Sequence, residues 1–145
     1  MKYKQGIYKP IHPEKYVGNA ENIIYRSSWE KRMFYELDNR PDVIQWSSEE
    51  LAIPYFNPVD QKTHRYFPDL IFKVKQKSGS EQIYMVEIKP HKQTNPPKKG
   101  RNTQNFINET VTYTVNQAKW KHAEKFCKDR GWIFKVITEK DLNFT

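Results

Sequence analysis

Apolar and polar positions follow two different periods along this chain, and the changes of period mark its elements. From Ser27 onward Trp29, Met33 and Leu37 recur at four-residue spacing, with Phe34 beside them. That is the apolar stripe of an amphipathic helix, and Asn39-Arg40-Pro41 stops it. Val43 to Trp46 reads as a short strand. Leu51 to Phe56 reads as a second, in which Pro54 suggests an edge or a bulge, and Asn57-Pro58-Val59-Asp60 is a turn. Two stronger strands are expected next, one over His64 to Val74 and one over Glu81 to Lys89, with Lys77-Ser78-Gly79-Ser80 as the hairpin turn between them. Pro90 to Asn102 is a polar, basic loop. A long helix is expected over about Thr103 to Arg130, stopped by Gly131, and a last strand over Trp132 to Thr138. Ahead of the first helix, residues 1–22 with Pro10 and Pro13 read as an extended N-terminal arm, and residues 23–145 as one domain.

Composition narrows the function classes. The chain has 145 residues, enough for one domain. Aromatics reach 14%, which argues against a disordered chain. No apolar run approaches the ~18 residues of a membrane span, and no signal-type segment follows Met1, so no membrane partner and a cytosolic site of synthesis are expected. One cysteine, Cys127, excludes an intrachain disulfide and any zinc site needing two cysteines from this chain. His12, His64, His91 and His122 are scattered and form no metal-binding pair; His64 and His91 fall near the segments discussed next. The net charge of +8 favours a polyanionic partner, nucleic acid first.

The chemistry concentrates in Phe67-Pro68-Asp69-Leu70-Ile71 and Val86-Glu87-Ile88-Lys89. Side chains alternate faces along a strand, so Glu87 and Lys89 share one face while Tyr84, Val86 and Ile88 take the other. Asp69 lies on the partner strand and points away from Leu70, Phe72 and Val74. Two carboxylates and a lysine therefore converge on a rigid sheet. Asp69 and Glu87 suit Mg²⁺, with Mn²⁺ as a substitute, through oxygen ligands that leave room for water and a phosphate oxygen. Such a metal activates water and neutralises phosphate charge, and Lys89 would orient the water and stabilise the transition state. The bland alternative is a surface Glu87–Lys89 ion pair, worth about 0–1 kcal/mol. The apolar neighbours of both carboxylates, and Pro90 directly after Lys89, argue against it.

These residues resemble a family. Pro68-Asp69 with Glu87-Ile88-Lys89 is similar to the PD-(D/E)xK nuclease signature. Tyr25-Arg26-Ser27-Ser28-Trp29-Glu30 resembles the Arg-Ser-x-x-Glu helix start of TnsA-like transposon endonucleases. Together with Ile53-Pro54-Tyr55-Phe56, Arg65-Tyr66-Phe67, Pro90, Val115-Asn116 and Lys119-Trp120-Lys121, they look like the head-completion nucleases of T-even-type bacteriophages, over roughly residues 20 to 138. The resemblance implies an α/β restriction-endonuclease-like fold with a central mixed sheet flanked by helices. It also implies a metal-dependent DNA endonuclease acting at packaging. Capsid or portal proteins, and a second copy of the chain for cutting both strands, would be its partners, and the host cytoplasm or the virion its place. It makes Glu30 a further catalytic candidate, although Ser27-x-x-Glu30 is also a capping box in which Glu30 reaches the Ser27 N–H.

Two basic segments would hold DNA. Lys92, Lys98, Lys99 and Arg101 follow the proposed site on a loop without acids, suited to phosphates rather than bases. In related nucleases a helix after the Glu-x-Lys strand packs beside the site, and Gln117 and Lys121, four apart on one helix face, are the residues expected there.

Two rivals stand beside this reading. Gly6-Ile7-Tyr8 followed by Tyr16-Val17-Gly18 is similar to the GIY-YIG signature, but Pro10 and Pro13 would interrupt that hairpin. A non-catalytic DNA-end-binding or capsid-plug protein on a nuclease fold would use the same basic face, and intact Asp69, Glu87 and Lys89 argue against it.

Overall fold

Residues 5–98, 100 and 102–141 are described by a computed structural model. The first element is a strand, β1 (Gly6–Tyr8), which pairs antiparallel with β2 (Ile23–Tyr25) across a 3-10 turn at Pro13–Lys15. Helix α1 (Ser28–Asn39) follows, then β3 (Val43–Ser47), the antiparallel hairpin of β4 (Ile53–Asn57) and β5 (Lys62–Tyr66), and the hairpin of β6 (Leu70–Lys75) and β7 (Glu81–Ile88). A 3-10 turn at His91–Thr94 leads to the long helix α2 (Gln104–Arg130), and β8 (Ile133–Ile137) closes the order. The central sheet runs β3–β6–β7–β8, antiparallel except for the parallel pair β7–β8. That parallel pair needs a crossover, which α2 provides.

Both faces of the sheet are covered, so its strands carry apolar residues on both sides. On one face Leu70, Val86 and Ile88 pack with Phe34 and Leu37 of α1 and with Trp46. On the other, Met85, Ile71, Phe134 and Val136 meet Trp120, Ala123 and Cys127 of α2 and Ile53, Tyr55 and Tyr66 of the β4–β5 hairpin. Gly79 turns the β6–β7 hairpin at φ 89, and Gly131 ends α2 at φ 72; both values favour a residue without Cβ.

Two expectations change. The strand expected over His64 to Val74 is two strands. Pro68 has no N–H to give a ladder, so Phe67-Pro68-Asp69 breaks the pairing and carries the chain from the β4–β5 hairpin into the central sheet. The residues expected as an extended arm are docked on the core. Tyr8, Tyr16 and Ile23 are buried beside Phe34 and Trp46. The fully buried Asp38 carboxylate accepts from the Tyr8 hydroxyl at 2.7 Å and from the Ile11 and His12 amides at 2.6 and 2.9 Å. Lys15 Nζ donates to the Leu37, Asp38 and Arg40 carbonyls, each at 2.9 Å. A cation there meets the open carbonyls and the negative end of α1. The GIY-YIG reading fails on the same contacts: Gly6–Tyr8 pairs with Ile23–Tyr25, and the Tyr8 hydroxyl is committed to Asp38. No helix among the described residues is long and apolar enough to cross a membrane.

Candidate active site

The β6–β7 register decides where the acids meet. Leu70 pairs with Val86, so one further step sets Asp69 opposite Glu87, both on the α2 face. Asp69 does not continue the ladder. Its Oδ2 instead accepts from the Ile88 amide at 2.7 Å, which ties the end of β6 to the Glu-x-Lys segment. Glu87 is buried, with Oε2 accepting from the Tyr66 hydroxyl at 2.6 Å and Oε1 lying 3.7 Å from Lys89 Nζ. Lys89 itself is held at the strand end by its amide, which donates to the Ile137 carbonyl at 2.9 Å. The convergence expected of Asp69, Glu87 and Lys89 is therefore present.

The electrostatics of the pair are those of too much negative charge in too little water. Burial and the Glu87 charge push Asp69 well above the ordinary carboxylate range; the Ile88 amide and Lys89 oppose that. Burial also raises Glu87, against the Tyr66 hydroxyl, Lys89 and Lys119. Among the described residues no group of three or more His, Cys, Asp or Glu is placed to hold a metal ion. Asp69 and Glu87 are the side chains that would hold a cation here.

Glu30 caps the start of α1, though not through the contact expected. Its amide donates to Ser27 Oγ at 3.2 Å, and its Oε2 accepts from the Arg26 amide at 2.8 Å, one residue further back than the Ser27 N–H. Burial raises its proton affinity, Glu49 and Glu87 add to that, and its own charge raises Asp69 in turn. So the cap faces the acid pair.

Four residues join the site that sequence reasoning did not assign to it. Tyr66 orients Glu87. Lys119 is half-buried above the rings of Tyr55 and Tyr66, 5.7 and 5.8 Å from their centroids. Burial and Lys89 lower its pKa, against the pull of Glu87 and Asp69. The Arg26 guanidinium donates to Glu49, whose backbone stands at φ 54, and it feels Glu30 and Asp69 as well. The run Val115-Asn116…Lys119-Trp120-Lys121 was the signal for Lys119. Choosing between Lys119 and Lys121 needed the helix phase against the sheet.

The DNA-contact candidates separate. Gln117 and Lys121 are exposed and line one hollow with Trp120, Glu124, Phe134 and Val136, on the strand next to Glu87. Lys92 and Lys98 are exposed on the loop after Lys89; Lys99 and Arg101 lie outside the described residues. His64 pairs with Asp60 at 2.6 Å on the β4–β5 hairpin, and the His91 amide donates to Glu139 at 2.9 Å.

This arrangement has relatives. Residues 40–139 match the family model described as TnsA-like endonuclease N terminal, a span that includes Asp69, Glu87 and Lys89. The chain belongs to the TnsA-like endonucleases. The head completion nuclease of Enterobacteria phage T4 is 41% identical over 142 residues, covering 94% of this chain and 92% of that protein. The mixed sheet between α1 and α2 is thus the restriction-endonuclease-like core of a TnsA-like nuclease, as the resemblance implied.

Proposed function

We propose that this TnsA-like nuclease is a metal-dependent endonuclease that hydrolyses DNA phosphodiester bonds during phage head completion. The observation that carries the reading is Asp69 set opposite Glu87, both with raised proton affinity, beside Lys89. A buried and a half-buried carboxylate with too few positive partners fit a hard divalent cation, and Mg²⁺ commonly takes one or two carboxylates and completes its shell with water and phosphate. Mn²⁺ fits the same donors. When bound, the cation supplies Lewis-acid neutralisation of the phosphate.

The chain's own residues do the rest. Tyr66 and the Ile88 amide fix the two carboxylates before substrate arrives. Lys89 holds the attacking water and meets the charge that grows on the phosphate as the water oxygen bonds to phosphorus and the P–O ester bond breaks. Lys119, above the Tyr55 and Tyr66 rings, adds a second cation. Glu30 holds the start of α1 against the site and contributes negative potential there. Lys92, Lys98, Lys99, Arg101, Gln117 and Lys121 hold flanking DNA. A head-completion role would have the protein act inside the host cell beside capsid or portal proteins, and a second copy would serve to cut the other strand.

Supercoiled plasmid incubated with the full chain tests this. Nicking in Mg²⁺ that stops in EDTA supports it. DNA retained on a gel without any cutting would support the non-catalytic plug instead.

A further inference from the structure

The proposed catalytic groups do not use a second hollow, separate from the one that Gln117 and Lys121 line. It lies between the loop after Lys89 and the N-terminal half of α2, with a volume of about 850 Å³, within the usual ~300–1,000 Å³ of ligand sites. Lys92, Pro96, Pro97 and Lys98 wall it on the loop side, and Tyr113 and Asn116 on the helix side. The sheet does not cover this half of α2: the helix's buried residues are Asn116, Trp120, Ala123 and Cys127, and residues 104–112 are almost all exposed.

Three features say what would lie there. Asn116 is buried to 5% exposure, and its Nδ2 has no hydrogen-bond partner among the described residues. A buried donor left open costs free energy; Asn116 lines the hollow, and a turn of its side chain toward a ligand acceptor there would remove that cost. Tyr113, half-buried, lines the same hollow one turn away, together with two prolines. The lysines give positive charge at the rim, against a single acid, Glu109. Rings with an amide suit a base face and a base edge, while the lysines suit phosphates.

The hollow also leads to the proposed site. Tyr113, Asn116 and Lys119 follow one another at three-residue steps along one inclined ridge of α2, which turns about 120° around the helix, and Lys119 feels Lys89, Glu87 and Asp69. From Tyr113 to Lys119 the helix rises ~9 Å, the length of two to three stacked nucleotides at ~3.4 Å each. Paired bases hide their faces within the duplex stack; only a separated strand can offer one to Tyr113.

We propose that this hollow holds an unpaired DNA strand beside the scissile phosphate, with a base on Tyr113 and its edge at the Asn116 amide, so that the nuclease acts preferentially where one strand is already separated. This rests on the nuclease reading above. The test compares a blunt duplex with the same duplex carrying an unpaired fork, using the full chain. Two ratios are measured: cleavage rates in Mg²⁺, and gel-shift affinities in EDTA.

Wild type should favour the fork by about tenfold or more, the scale of one base–aromatic stack. Tyr113→Ala should bring both ratios close to one, and Tyr113→Phe, which keeps the ring, should retain them. Thermal melting confirms that each variant is folded. Equal treatment of fork and duplex by wild type, or a preference surviving in folded Tyr113→Ala, overturns the inference. Absence of cleavage on any DNA would sink the nuclease reading alone, because the affinity ratio in EDTA still decides the strand site.

Discussion

The Tyr66 hydroxyl donates to Glu87 Oε2 at 2.6 Å, and both residues are buried. Tyr66 ends the β4–β5 hairpin and Glu87 sits near the end of β7, so this bond fastens the outlying hairpin to the strand that bears the Glu-x-Lys pair. It also favours the ionised form of Glu87 against burial. Burial and the Glu87 charge in turn push the Tyr66 phenol far above its ordinary range, so it stays a donor.

Tyr66→Phe removes that donor and leaves the ring. Cleavage should fall about tenfold, which is ~1.4 kcal/mol at the transition state. Glu87 then takes up protons more readily, so the acidic limb of the pH–rate profile should move to higher pH. Urea unfolding should show a loss of about 1.5–3 kcal/mol, the scale of a hydrogen bond to a charged group. A pH–rate profile with an unmoved acidic limb would show that Tyr66 does not tune Glu87.

The acid pair predicts the sign of the stability–pH curve. Folding raises the pKa of Asp69 and Glu87, so the folded chain keeps protons that the unfolded chain gives up. Their contribution is undiminished below the unfolded carboxylate range, near pH 4, and is lost as pH rises through the folded values. Asp69→Asn should therefore melt above wild type at pH 7, with the difference closing toward pH 4. Mg²⁺ should raise the wild-type melting temperature at pH 7 and have little effect on Asp69→Asn. Thermal scans at the two pH values, with and without Mg²⁺, check both statements.

Much of this site was legible because it lies on strands. Period two put Glu87 and Lys89 on one face and Val86 and Ile88 on the other, and the β6–β7 hairpin brought Asp69 across. The N-terminal segment was not legible, because what docks it is long-range: Asp38 on α1 collects donors from Tyr8, Ile11 and His12, and none of those residues marks its partner in the sequence. Lys119 and Lys121 were indistinguishable by composition; the packing of Trp120 and Ala123 against the sheet sets which lysine turns inward. Pro68 splits β5 from β6, and the apolar pattern that runs on through Tyr66, Phe67, Leu70 and Ile71 masks that break in the sequence.

Asp38→Ala should destabilise the protein by about 3–5 kcal/mol, since three buried or half-buried donors lose one acceptor. Protease should then cut within residues 5–22 before the domain unfolds. Unchanged stability would mean that these residues are a detachable arm.

Lys119→Met keeps the apolar stem above Tyr55 and Tyr66 and removes the charge. Single-turnover cleavage should slow by at least tenfold, while stability stays within about 1 kcal/mol, because the lost cation–π contact is offset by relief of a half-buried charge. An unchanged rate would leave Lys119 as packing alone.

Lys89→Ala tests the central claim most directly. Lys89 stands at a strand end, so its loss opens no large cavity, and one positive charge among 25 adds little to DNA affinity. A cation placed against the attacking water and the phosphate is worth several kcal/mol, at tenfold per 1.36 kcal/mol. Plasmid nicking in Mg²⁺, measured beside a gel-shift titration on the same variant, should show cleavage reduced by roughly a hundredfold or more with DNA binding nearly unchanged. Wild-type cleavage by Lys89→Ala would contradict the account.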